Sequence, residues 1–155
     1  MLRIRSVEQV KTVEVVVRGI LVHKDRILLT HKKGAVNTFL PGGHIEFGES
    51  ARTALVREIK EELGVTVEVK DFLGVVEHSW EDEKGFNHEI NLIFRMECED
   101  LYAPKAPVPQ ESHLEFLWQP VDDLTSVKLE PSALIELLPR WLRQKPNTGW
   151  GSTVE

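Results

Sequence analysis

Hydrophobic and polar positions alternate along this chain in short β-branched runs, broken once by a longer stretch with helical periodicity. Thr12 to His23 reads TVEVVVRGILVH, which predicts a strand with a bulge or bend at Arg18-Gly19. Lys24-Asp25 reads as a turn and Arg26 to His31 as a returning strand, together a hairpin. A polar loop from Lys32 to Thr38 leads into Leu40-Pro41-Gly42-Gly43, where glycines permit tight turns and close backbone approach. Further strands are expected at Val65 to Val69, Phe72 to His78 and His88 to Glu97, with a loop between His78 and His88. Pro104, Pro107 and Pro109 exclude a central strand between Asp100 and Glu111 and mark a loop. Leu114 to Trp118 is a short apolar run, and Asp122-Asp123 is turn-prone.

The helical stretch is bounded at both ends. Ser50 is placed to cap a helix running to about Leu63, and Gly64 to end it. A second helix is predicted from Pro131 through Ala133, Leu134, Leu137 and Leu138, with Pro139 marking a kink or a stop near Trp141. Gln144 to Glu155 is polar and reads as a flexible, frayed tail. With neither an internal repeat nor a second boundary, residues 1–155 are expected to form a single mixed α/β domain.

Composition narrows the function classes. Nineteen Lys and Arg face 25 Asp and Glu, a formal charge of −6, which argues against broad neutralisation of nucleic-acid phosphates. The lone Cys98 cannot form an intrachain disulfide, so a reducing, cytoplasmic setting is expected. No apolar run reaches the roughly 20 residues needed to span a bilayer, and residues 1–5 do not open a signal-peptide core.

The first helix departs from simple amphipathicity. Ala51, Ala54, Leu55, Ile59 and Leu63 gather on one side, yet Glu58 and Glu62 project from the same arc and Glu61 lies at its margin. Like charges at i and i+4 repel, and partial burial would cost far more without a compensating cation or proton. Hard oxygen ligands at this spacing suit Mg²⁺ or Mn²⁺. The Gly43 carbonyl is a further candidate ligand. Arg57, read as pointing away from the cluster, is placed to pair with Glu49 and lock the preceding loop onto the helix.

Gly43 to Val65 reads GHIEFGESARTALVREIKEELGV. This resembles the Nudix box, G-x5-E-x7-R-E-U-x-E-E-x-G-U with U aliphatic, in which Gly43, Glu49, Arg57, Glu58, Ile59, Glu61, Glu62, Gly64 and Val65 meet every fixed position. Leu40-Pro41-Gly42 and Trp118 to Leu124 are also similar to segments flanking the box in that MutT-like family. The resemblance implies an α/β/α sandwich with a mixed sheet, and hydrolysis of a nucleoside diphosphate linked to another moiety with a divalent metal. It implies Glu58 and Glu62 as ligands, Glu61 as ligand or base, and Gly43 acting through its carbonyl. It also admits a homodimer.

The implied reaction is water attack at phosphorus, with a glutamate taking the proton. The general base varies within the family, and Glu111 in the Pro-rich loop is the candidate outside the box. Glu89 and Glu115 are weaker candidates, read as strand residues facing water. Phe39, Trp80, Phe86 and Trp118 are placed to stack on a base, His44 and His88 to meet phosphate or ribose, and Lys32 and Lys33 to meet phosphate. The histidine spacing matches no zinc pattern, and neither a phosphate-binding G-x-x-x-x-G-K-[ST] loop nor a G-x-S-x-G elbow is present.

The sequence lacks the proline that ADP-ribose-cleaving members often carry 15 to 16 residues past the box, where Trp80 and Glu81 stand. It also lacks the arginine-bearing motif of the coenzyme A-cleaving members. These absences favour a nucleoside triphosphate, modified or not, cleaved to the monophosphate and pyrophosphate. The alternatives are an ADP-ribose or nucleotide-sugar pyrophosphatase, and a non-catalytic nucleotide-sensing module.

Overall fold

The computed structural model describes residues 11–143 and 150–153. Strands β1 (Glu14–Ile20), β2 (Val22–His23), β3 (Arg26–Lys32) and β4 (Gly42–His44) precede helix α1 (Ala51–Leu63). Then follow β5 (Glu68–Asp82), β6 (Gly85–Glu97), β7 (Leu114–Pro120), helix α2 (Ala133–Leu142) and β8 (Trp150–Ser152). One mixed sheet runs β4-β1-β6-β5-β8, with β1/β6 and β5/β8 parallel, and a smaller antiparallel sheet runs β2-β3-β7. Helix α1 packs Ala54, Leu55, Ile59 and Leu63 against Val17, Phe94 and Met96. Helix α2 packs Leu134, Leu138 and Trp141 against Ile20, Val76 and Ile93 of the same sheet. These two cores give the α/β/α sandwich. Among the described residues, no helix is long and apolar enough to cross a membrane.

Four expectations need correction. Arg18-Gly19 is not a bulge: β1 pairs with β6 in unbroken register from Glu14↔Glu89 to Ile20↔Arg95. A Cβ at Gly19 would overlap the Met96 side chain, which would have to shift to admit it. The long first run is also divided between the two sheets, and the predicted hairpin is the β2–β3 pair, whose turn residues Lys24 and Asp25 both adopt positive φ, as a tight two-residue turn demands.

The span between His78 and His88 is not a loop. It forms the arms of a β5–β6 hairpin, in which Ser79 pairs with His88 and Trp80 with Asn87, and only Glu83-Lys84 turn. The final segment is not wholly frayed, since residues 150–152 form β8 beside β5. Residues 144–149 and 154–155, which the same expectation covered, lie outside the described residues. Helix α2 contains Pro139 and ends at Leu142, beside Trp141, in keeping with the stop expected there.

Candidate active site

Helix α1 begins and ends where its sequence dictates. Ser50 Oγ accepts a hydrogen bond from the Thr53 N–H at 3.1 Å, and Gly64 closes the helix at φ 72°. These ends fix the rotation of the helix, which turns Glu62 inward to 5% exposure among Leu55, Ile59 and Leu63. Among the described residues, Glu62 Oε2 is buried without a hydrogen-bond partner. Burial pushes its carboxyl up to about 8, reinforced by Glu58 and Glu111 and opposed by Arg18 and a backbone hydrogen bond from Gly42.

Strand β4 brings backbone against this helix. At Gly43 a Cβ would sit 2.5 Å from the Glu58 carboxylate, so only glycine allows that carboxylate and the chain to lie so close. Arg57 secures the other side. Its Nη2 and Nε donate to the two oxygens of Glu49 at 2.6 and 3.2 Å, the fork geometry expected from the sequence. Glu46 N–H donates to Glu49 as well, and Arg57 Nη2 also donates to the His44 carbonyl, so the loop is pinned at several points. Glu49 is held below the usual carboxylate range, first by its hydrogen bond to Arg57.

Arg57 does not point away from the glutamates, contrary to expectation. Its Nη1 donates to Glu58 at 3.0 Å and to Glu61 at 3.2 Å. Three carboxylates therefore do not converge. Glu61 is exposed and drawn to the guanidinium, while Glu58 and Glu62 line a cleft of about 920 Å³ with Gly43 and Glu111. Glu111 also meets His113 Nε2 at 3.4 Å.

Other candidates divide. Phe39, His44, Trp80 and Lys32 line the cleft, whereas His88, Phe86 and Lys33 are not among its lining residues. Trp118 is a core residue, 8% exposed, with its indole N–H donated to the Lys105 carbonyl. His44 Nε2 lies 2.8 Å from Glu14. Glu115 is exposed and faces His31 at 3.1 Å, as its strand position predicted. Glu89, in contrast, does not face water: it is 8% exposed and lines the cleft.

Arg18 is the site residue that sequence reasoning missed. Its Nη1 donates to the carbonyls of Leu40 at 3.1 Å and Gly42 at 3.2 Å, and its guanidinium lies 5.3 Å from the Phe39 ring centroid. Burial lowers its pKa, while Glu89, Glu62 and Glu58 pull the other way. The only available signal was an arginine inside an apolar strand.

The donor set suits a hard divalent cation. Among the described residues, no three His, Cys, Asp or Glu side chains are already gathered for one. Glu58 and the unpartnered Glu62 oxygen, with the Gly43 carbonyl nearby, offer the anionic oxygens such an ion takes alongside water.

The sequence pattern of the NUDIX domain matches residues 11–141. The chain belongs to the NUDIX family. An ADP-ribose pyrophosphatase of Methanocaldococcus jannaschii is 42% identical over 85 residues, 52% of this NUDIX chain and 48% of the relative. The chain thus spans about half the length of curated relatives it matches. The crystal structure of a MutT NUDIX hydrolase from Burkholderia pseudomallei is 29% identical with a TM-score of 0.59, covering 74% of this chain and 88% of that one. A MutT protein from Methanosarcina mazei Go1 shares the fold at TM-score 0.66 and 20% identity, covering 92% and 100%. NUDIX hydrolases generally use a divalent metal, as the donor set here would allow.

Proposed function

We propose that this chain is a Mg²⁺- or Mn²⁺-dependent hydrolase of the diphosphate bridge in a nucleoside diphosphate linked to another moiety. The observation that carries the reading is the buried, unpartnered Glu62 oxygen beside Glu58 in a cleft large enough for a nucleotide. Glu58, Glu62 and the Gly43 carbonyl would hold the cation. When bound, it would neutralise phosphate charge and acidify the attacking water. Glu111, which lines the same cleft, would take the proton from that water. Glu61 would serve as a ligand only after leaving Arg57. Glu61, exposed and tied to the Arg57 guanidinium, makes a poorer base than Glu111, which lines the cleft. The lone Cys98 supports a reducing, cytoplasmic setting.

Two substrates compete for the finer assignment. Missing signatures favour a nucleoside triphosphate. The relative named ADP-ribose pyrophosphatase favours a nucleoside diphosphate joined to a sugar, and a cleft that continues past the glutamates to Trp80 and Thr153 supports it. Incubation with triphosphates, ADP-ribose and nucleotide sugars, with Mg²⁺ or EDTA, tests both readings. Monophosphate and pyrophosphate would identify the first substrate, and monophosphate and a sugar phosphate the second. Nucleotide binding without products would turn the assignment to a sensing module.

A further inference from the structure

The half of the cleft beyond Arg18 has a chemistry of its own. Its lining includes Glu89, Asn91, Glu130 and Trp80, from the β5–β6 hairpin and the segment before α2. Arg18 interacts electrostatically with Glu89 as well as with Glu62 and Glu58 while its Nη1 is donated to the carbonyls of Leu40 and Gly42, and Lys32 stands beside Leu114 on the Glu111 side.

Acidic residues alone do not define a site, but Asn91 adds a second observation. It is fully buried, and its Nδ2 donates to the Val76 carbonyl and to Glu89 Oε1, both at 3.3 Å. Both partners can only accept, so the amide nitrogen must face them. Among the described residues, Oδ1 is left buried without a partner. An orphaned acceptor in a cleft wall calls for a donor from the ligand. Trp80 provides a rigid surface nearby, stacked on His78 with ring centroids 4.9 Å apart. His78 is itself held through Nδ1 by Thr153 Oγ1 at 2.6 Å.

We propose that Glu89 and Asn91 form a subsite for a neutral, hydrogen-bond-donating group of the substrate, packed beside Trp80. Two sources share this chemistry: the N–H edge of a nucleobase and the hydroxyls of a sugar. The inference rests on the nucleotide reading of the cleft and concerns which end of the ligand occupies this half.

Calorimetric titration of the full chain in Mg²⁺ tests it without requiring turnover. The probes are GMP, AMP, purine riboside 5′-monophosphate, whose base has no donor, ribose 5-phosphate and inorganic phosphate. Nucleobase reading predicts that GMP or AMP binds about tenfold or more tightly than purine riboside monophosphate. Sugar reading predicts equal binding of the three nucleotides and of ribose 5-phosphate, all well above phosphate. Either result supports the subsite and identifies its source. The near-isosteric Glu89→Gln, with folding checked by circular dichroism, should reduce the preference to about threefold or less, because an amide replaces one acceptor by a donor. No preference in the wild type, or full preference retained in Glu89→Gln, overturns the proposal. If the preference appears but no anhydride is cleaved, the subsite stands and the hydrolase assignment falls; cleavage without preference does the reverse.

Discussion

Gly43 and Glu58 occupy space that a single methyl group would contest: a Cβ at position 43 would stand 2.5 Å from the Glu58 carboxylate. Gly43→Ala should therefore displace Glu58 while leaving the core intact. Metal affinity or turnover is expected to fall about 10- to 100-fold, as when other supporting contacts of metal sites are lost. Manganese titration beside a thermal melt checks this. Unchanged affinity would remove Gly43 and Glu58 from the site.

Arg57 combines two duties that a lysine cannot share. It forks onto Glu49 and also reaches Glu58 and Glu61. Arg57→Lys keeps the charge but loses the planar fork. Activity is expected to fall about tenfold or more through misplacement of Glu58. Saturating Mg²⁺ should restore part of it, because excess ion can draw Glu58 back. Glu49→Gln should produce the same pattern more weakly, as measured by the Mg²⁺ concentration giving half-maximal turnover.

The box was legible because its spacing reports both covalent pattern and geometry. Ser50 and Gly64 fix the ends of α1, and the interval between them determines that Glu62 faces inward. Glu111 could be proposed from its place in a loop that prolines keep out of the sheet. Arg18 could not, and Glu89 was expected only as a strand residue facing water. Their meaning comes from strand order: β1 and β6 are about 75 residues apart in sequence but adjacent and parallel, and this pairing sets both residues beside the cleft. Arg57 was misdirected for a related reason. A helical wheel records where a side chain starts, but a long arginine can curl back to carboxylates one and four positions away.

The N-cap offers a stability control separate from chemistry. Ser50→Ala removes the hydrogen bond from the Thr53 N–H and should cost about 1 kcal/mol. The melting temperature is expected to fall by several degrees. Affinity for Mn²⁺ should change little, because Glu49 and Arg57 still anchor the preceding loop. A large loss of affinity would show that the cap itself positions the glutamates.

Glu62 makes the metal-free protein sensitive to pH. Its folded pKa, near 8, lies above the ordinary glutamate value of 4.5, so the folded state holds a proton that the unfolded state has released across this window. The stability associated with protonated Glu62 is fully present below pH 4.5 and is lost as pH rises toward 8. Thermal melts in EDTA should fall across that range for the wild type and vary less for Glu62→Gln. Metal affinity should move in the opposite direction, strengthening with pH as the ion displaces the proton. Parallel pH profiles for the two proteins would refute the assignment.

Arg18 connects the two halves of the cleft, and its removal should be readable in that pH profile. It is the first of the groups lowering the Glu62 pKa, and it clamps the carbonyls of Leu40 and Gly42 just before Gly43. Arg18→Met removes both effects, so the pH at which Mn²⁺ affinity reaches half its plateau should move upward from the wild-type value. Arg18→Lys retains a charge but not the planar donor; it should keep much of the pH behaviour while losing turnover. A merely structural arginine would lower the melting temperature in both variants without moving the midpoint. The midpoint therefore distinguishes an electrostatic role at Glu62 from general support of the turn.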